Sequence, residues 1–241
     1  MTSHNWSKEQ KARCSTAAPP SPVQLVGAMM NGVVDEVGVL DQLVERVLST
    51  YPYRFTVAAT PKQREAAFGI RYEVVMAGGW AAQEAFPDRQ ERDVYDDSAT
   101  QIIGWDGDKP ISTGRLVLPP ALLPTEQLCG LVVEPHGEVV EVGRMSVVPS
   151  YQSHRHAAFI ALLCRLYLEM RTTGHQVACG MMSPRVRRLV RQLGVQLEEL
   201  GPDRDHWGEP RAPVRFGLTV NALTLGDRWS ETSSVDDSGS G

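Results

Sequence analysis

The feature that most constrains this chain is the alternation of its second half. Val139–Val148 (VVEVGRMSVV) reads as an apolar strand. Ala157–Arg171 reads as a helix, with Ile160, Leu163, Cys164 and Tyr167 on one face. Gln176–Met182 (QVACGMM) is a short buried strand, and Ser183-Pro184 opens a helix that runs to Leu193 and ends at Gly194. Strand, helix and strand in succession call for a crossover connection and some parallel pairing. Upstream, Val34–Thr50 carries apolar residues at helical spacing, Tyr53–Ala58 alternates like a strand, and Thr60-Pro61 caps a second helix through Ala66, Ala67, Ile70 and Val74. Ser98–Trp105, the turn Asp106-Gly107-Asp108 and Ile111–Leu118 form a hairpin. Val195–Leu200 and Val214–Val220 supply two last strands. The expected class is α/β (α+β), with one mixed sheet covered by helices on both faces.

Composition sets the outer limits. With 241 residues, 42% hydrophobic and 22% charged, the chain suits one folded domain or two small ones. The net charge is −5, but the last eleven residues hold Glu231, Asp236 and Asp237 and no base, which leaves −2 for the rest. A strongly basic nucleic-acid binder is not the default. Only Lys8, Lys11, Lys62 and Lys109 among the 24 basic residues are lysines, a balance that fits bidentate anion recognition or GC-rich coding equally. Cys14, Cys129, Cys164 and Cys179 form no CxxC pair or zinc spacing, so no metal site is expected. No stretch has the length and apolarity of a membrane span or a signal-peptide core. A cytoplasmic location is expected. Residues 1–24 read as a flexible arm, 25–230 as the folded domain and 231–241 as a disordered tail.

No GxSxG elbow, P-loop or GxGxxG fingerprint is present, and His154 and His156 in one loop are too weak a signal for a metal. What stands out is charge within and beside apolar strands: Glu91, Asp93 and Asp96 just before a strand, Arg115 inside STGRLVL, and Glu141 and Arg144 inside VVEVGRMSVV. Such residues must be paired, or face a site or solvent. Glu141 and Arg144 face opposite sides of a regular strand, and a bulge at Gly143 would bring both to one cleft. The bland alternative is a structural ion-pair network joining Arg71, Asp93, Arg115 and Glu141.

Four segments then follow in order: RYEVVMAGGW (Arg71–Trp80), ERDVYD (Glu91–Asp96), STGRLVLPPALLP (Ser112–Pro124) and EVGRMSV (Glu141–Val147). They resemble the acyl-homoserine lactone synthase pattern R…W, E-x-D-x-[FY]-D, G-x-x-R-L-x-P and E-x-x-R-[FM]-x-V, over roughly Phe55 to Gly201. The segments are similar also to the N-acyl amino acid synthases. Both families lie in the GNAT acyltransferase superfamily, so the resemblance implies the GNAT fold with a V-shaped splay between the central strands. It matches Arg71, Trp80, Asp93, Asp96, Arg115, Glu141 and Arg144 to characteristic positions, and implies that the R…W and acidic segment shapes the amine-acceptor side while the strand residues hold that segment onto the sheet. The candidate catalytic residues are Glu141, Arg144 and Arg115, and the candidate substrate-binding residues are Arg71, Trp80, Asp93, Asp96, Met145 and Ser146. The donor loop is implied at Val147, Val148, Gln152, Ser153, His154, Arg155, His156 and Ala157, where helix-start N–H groups would hold a phosphate. The chain departs from the pattern at Val75, where the lactone synthases usually carry an aromatic, at Ser112 in the place of Gly, and by one extra residue before Pro119. It also has an added N-terminal helix, and its donor loop has Gln152, Ser153 and Arg155 where Arg and glycines are usual.

The expected function is N-acyl transfer from a thioester, either acyl-carrier protein or acyl-CoA, to the amine of an amino acid or small amine, with no tightly bound cofactor. Direct attack by the amine follows from the lack of a nucleophile motif, with Glu141 as proton acceptor and a backbone N–H near Met145–Val148 for the oxyanion. Arg185, Arg187, Arg188 and Arg191 on one acid-free helix suggest docking of an acidic carrier protein or of tRNA, or simply a solvated face. An aminoacyl transferase using charged tRNA and a catalytically silent ligand-binding module stay open as alternatives.

Overall fold

The computed structural model describes residues 36–152 and 156–218. The expected arm and tail, the helix start at Val34 and Asp35, Ser153, His154 and Arg155, and Thr219 and Val220 lie outside the described residues. In chain order the elements are α1 (Glu36–Ser49), β1 (Arg54–Val57), α2 (Pro61–Gly78), β2 (Thr100–Asp106), β3 (Lys109–Val117), α3 (Pro124–Cys129), β4 (Val139–Val147), α4 (Ala157–Thr172), β5 (Val177–Met182), α5 (Pro184–Gln192), β6 (Glu198–Glu199), β7 (Arg204–His206) and β8 (Glu209–Gly217).

Local chemistry sets the element ends. Thr60 Oγ1 accepts from Gln63 N (3.3 Å) and Gln63 Oε1 accepts from Thr60 N (3.0 Å), a reciprocal cap with Pro61 at the first helical position. Ser183 sits at the N-cap of α5 with extended backbone, yet its hydroxyl makes no capping bond; the residue is buried and lines the cleft described below. Three expectations shift. Val195–Leu200 shrinks to the two-residue β6, the last strand runs over Glu209–Gly217 rather than Val214–Val220, and α3 and β7 are additional.

Among the described residues the sheet has eight strands in the order β1-β2-β3-β4-β5-β8-β6, with β7 paired to β8 off this path. Alternation along β2 splits the core. Ile102 joins Leu116, Val140, Val142 and Ala178 under Leu162, Leu166 and Met170 of α4. Its neighbour Ile103 joins Ile111 and Val147 under Ala67 and Ile70 of α2. Helices therefore cover both faces, as the element order predicts. Helix α1 lies against α4 through Leu40 and Val44.

The parallel pairing of β4 with β5 stops early. Val139, Val140 and Glu141 pair with Val177, Ala178 and Cys179, and beyond them the two strands part. This is the expected V-shaped splay. Gly180 sits at the point of divergence, where an added Cβ would overlap the carbonyl oxygen of Val142. We expect Gly180→Val to destabilise the protein by about 1–3 kcal/mol through overpacking, read as a lowered urea midpoint at unchanged slope.

Candidate active site

The splay opens a cleft of about 490 Å³. One wall carries charge. Arg71 of α2 binds Asp96 bidentately (2.8 and 3.0 Å) and its Nε donates to Glu91. Arg115 of β3 donates to Asp93 (2.5 Å) and Asp96 (2.9 Å). Arg144 of β4 donates to Asp93 (2.8 Å) and lies 3.3 Å from Glu91. Three arginines thus meet three carboxylates, and Gln101 Nε2 adds a further donor to Asp96 (2.9 Å). Burial pushes the Asp96 carboxyl up, but Arg71 and Arg115 outweigh it and hold it at about 2. The network is graded. Arg71, Glu91, Asp96 and Arg115 have side chains 1–3% exposed, whereas Arg144 and Asp93 reach 18% and 24% and face the cleft.

The bulge expected in β4 is present, with its turn one residue on. Thr113 pairs with Ser146 and Arg115 with Gly143, so Gly114 faces both Arg144 and Met145. The left-handed residue is Arg144 itself (φ 50). An arginine in that region costs about 1–2 kcal/mol. Its two carboxylate partners and the Trp207 ring, 4.9 Å from its guanidinium, hold it there.

Glu141 stands outside the network. Among the described residues it forms no ion pair; its Oε2 accepts from Thr125 N in the first turn of α3 (2.6 Å). Burial pushes its carboxyl up to about 7, with the Thr125 N–H and the more distant Arg115 and Arg144 holding it from rising further. The group lines the cleft at the base of the splay. The facing wall is apolar, formed by Phe159 and Leu163 of α4, Met181 and Met182 of β5, and Val186 and Val190 of α5.

One end is closed by the β7–β8 hairpin, whose two-residue turn is Trp207-Gly208, both with positive φ. A Cβ on Gly208 would come within 2.8 Å of the Trp80 ring. Arg211 lies over that same ring at 5.4 Å. His206 lines the cleft beside them, and burial, with Arg144 and Arg211 nearby, lowers its imidazole to about 4, so it is neutral near pH 7.

Of the residues expected from sequence, Arg71, Trp80, Asp93, Arg115, Glu141, Arg144, Met145 and Ser146 line this cleft together. Asp96 lies beneath it as the anchor of two arginines. The side chains of Val147 and Val148 are buried in the core against α2, which leaves only their main chain for a ligand. Gln152 donates to Val147 O (2.8 Å), His156 takes a left-handed conformation without capping α4, and Ala157 begins that helix. Thr125, His206, Trp207 and Arg211 were not among the expected site residues. The arginine cluster on α5 is also altered. Arg187 is buried and bound to Met182 O (2.9 Å) and Asp203 (2.7 Å), and Arg191 pairs with Glu199 (2.6 Å), which leaves Arg185 and Arg188 as the helix's other exposed cations. Among the described residues no group of three or more His, Cys, Asp and Glu is placed to hold a metal, and no helix is long and apolar enough to cross a membrane.

The model of the acetyltransferase (GNAT) domain family matches residues 70–162. A search of the curated protein sequences gives no match. Among solved structures, the CoA-dependent acyl-homoserine lactone synthase MesI is 25% identical, covering 74% of this chain and 95% of its own, with TM-score 0.56. The CoA-dependent acyl-homoserine lactone synthase BjaI, solved with SAM and isopentyl-CoA, is 16% identical over 74% and 89%, with TM-score 0.58. FeeM, an N-acyl amino acid synthase from uncultured soil microbes, is 17% identical over 72% and 96%, with TM-score 0.55. Residues 70–162 thus match the acetyltransferase (GNAT) domain, and the splayed mixed sheet that holds them is similar to those of acyl-homoserine lactone synthases and an N-acyl amino acid synthase.

Proposed function

We propose that the protein transfers an acyl group from a thioester, acyl-CoA or acyl-carrier protein, to the amine of an amino acid or another small polar amine. The observation that carries this reading is the division of the cleft: a charged wall faces an apolar one, with a carboxyl titrating near neutrality where they meet. A polar acceptor suits the side bounded by Arg144, Asp93, Trp80 and Trp207, and an aliphatic acyl chain suits the side of Phe159, Leu163 and Met182.

In this reading the acceptor nitrogen attacks the thioester carbonyl carbon. The C–N bond forms, Glu141 takes the amine proton, and the C–S bond breaks to give an amide and a thiolate, which takes up that proton from Glu141 or through solvent to leave as the thiol. The edge of β4 beyond Glu141, no longer paired to β5, offers its main chain to the developing oxyanion, and the start of α4 suits a donor phosphate. No cysteine lines the cleft among the described residues, which favours direct attack over a thioester intermediate on the enzyme. The ion pairs of Arg187 and Arg191 reduce the cationic surface that a tRNA donor would need.

Purified full-length protein, given acyl-CoA or acyl-carrier protein and a panel of amino acids and SAM, should release thiol only when an acceptor amine is present. Mass spectrometry should show the matching amide. Acceptor-independent thiol release, or none with any thioester, would refute the reading. Turnover with charged tRNA alone would replace it by aminoacyl transfer.

A further inference from the structure

The two oxygens of Glu141 have different surroundings. Oε2 accepts from Thr125 N (2.6 Å), whereas Oε1 lies toward Gly143, 3.7 Å from where a Cβ would stand on that cleft-lining glycine. Thr125 brings a second donor to the same spot. The residue is 0% exposed, and its Oγ1 makes no hydrogen bond among the described residues. The Glu141 carboxyl and the Cys179 thiol stand beside that hydroxyl. The turn that presents it is braced by Glu126, whose carboxylate accepts from Leu123 N (3.3 Å) and Val133 N (2.9 Å), with Pro124 at the first position of α3. The other titratable or charged groups near Glu141 are Arg115 of β3, Arg144 of β4, Tyr95 of the acidic segment, Cys129 of α3 and Cys179 of β5. Both arginines are bound to the acidic wall, and burial pushes both thiols up, which keeps them uncharged.

A buried hydroxyl without a partner costs free energy. Beside a carboxyl that titrates, it finds that partner when the carboxyl ionises. We propose that Thr125 is the positioning residue of the proton transfer: its main-chain N–H and its hydroxyl, turned onto Oε2 as Glu141 ionises, hold that oxygen and leave Oε1 to take the amine proton. The proposal rests on the acyl-transfer reading with Glu141 as base. Two donors on one oxygen favour the charged form, so Thr125 limits how far burial lifts the carboxyl and keeps the base within the neutral range. Once Oε1 carries the proton, the hydroxyl is released, which eases return of that proton to the leaving thiolate.

The test removes the hydroxyl alone. Thr125→Val keeps the shape and the main-chain N–H, and Thr125→Ser keeps a hydroxyl. A hydrogen bond to a charged group is worth about one to two pH units, so Glu141 should titrate that much higher in Thr125→Val than in the wild type. Glutamate 13Cδ NMR on the full chain follows the carboxyl directly, its resonance identified by its absence from Glu141→Gln. The acid limb of kcat/KM that Glu141 sets should move with it, a loss of about 10- to 100-fold at pH 6 that narrows as pH rises. Thr125→Ser should restore both. At pH 6 Thr125→Val should unfold at the same or a higher temperature, because an unpaired buried hydroxyl is gone. If Thr125→Val fails to fold, Thr125→Ala takes its place with the same expectations. An unmoved carboxyl titration overturns the proposal, as does a loss uniform in pH or a Thr125→Ser variant that restores neither measurement. A moved titration with an unmoved limb overturns it too, by removing Glu141 as base. A wild type inactive with every thioester refutes acyl transfer and the proposal together, whereas an active wild type with an unmoved titration in Thr125→Val refutes the proposal alone.

Discussion

Replacing Glu141 by Gln is expected to lower kcat by about 10²–10⁴-fold and to leave the folded state at least as stable at neutral and alkaline pH. The amide keeps an oxygen for the Thr125 N–H, so the bond that seats the side chain survives. What is lost is a carboxyl whose burial lifts it from 4.5 to about 7, which makes it a base matched to neutral pH. Below about pH 7, log kcat/KM of the wild type should rise with a slope of two, because both Glu141 and the acceptor ammonium must lose a proton. Above that the slope should fall to one, and the variant should show one throughout. Stability carries the opposite sign. A carboxyl whose folded pKa is raised stabilises fully below its unfolded pKa, and that contribution is lost as pH rises through about 7. Ionising Glu141 in the folded chain therefore costs about 3 kcal/mol, a penalty the amide never meets. At pH 8 the variant should unfold at the same or a higher temperature than the wild type. Full kcat in Glu141→Gln would remove this group from the chemistry.

How far the site could be seen in the sequence depended on how local each signal was. Helix α2 is written in adjacent residues, Thr60, Pro61 and Gln63, whose side chains satisfy the backbone they begin. The β2–β3 hairpin is likewise carried by neighbouring alternation and its turn. The charged residues of the cleft are conspicuous because strands seldom carry them, but which acid meets which arginine is decided across 19 to 53 residues of chain. Sequence grouped Glu141 with Arg71, Asp93 and Arg115. The fold keeps Arg115 with Asp93, gives Arg71 to Glu91, joins both arginines at Asp96, and turns Glu141 to a main-chain N–H of α3. Helix α3 has only six residues, too few for a periodic pattern, although Pro124 at its first position and Gly130 just past its end mark it. The β7–β8 hairpin was hidden by polarity. RDHWGEPR buries no continuous face, and only the two-residue Trp207-Gly208 turn between charged residues betrays it. Four arginines on α5 looked like a patch because Glu199 and Asp203, which pair with two of them, follow the helix.

Removing Arg71 should be the most destabilising single change at the site. Arg71→Met is expected to cost about 3–5 kcal/mol, a third or more of the stability of many domains of ordinary size. The reason is charge balance. Arg71, Arg115 and Arg144 offset Glu91, Asp93 and Asp96, and the four deepest members have almost no contact with water. With Arg71 gone, Glu91 keeps only Arg144 at 3.3 Å, and Asp96 keeps Arg115 and the neutral Gln101. One buried negative charge then lacks a partner. Adding Glu91→Gln to Arg71→Met restores neutrality and should recover about half of the loss or more, since replacing both members of a buried pair is far milder than removing one. Acid response supplies a second readout. Asp96, held at about 2, contributes stability that is present above its ordinary pKa of 3.8 and is lost as pH falls through about 2. In Arg71→Met its main holder is absent, so acid unfolding should move to higher pH. A double variant no more stable than the single one, with an unmoved acid midpoint, would show that shape rather than charge holds this wall. If the charge account stands, the deep pairs serve mainly to fix Arg144 in its left-handed turn at the mouth, where its guanidinium and Asp93 are the members that can meet an acceptor.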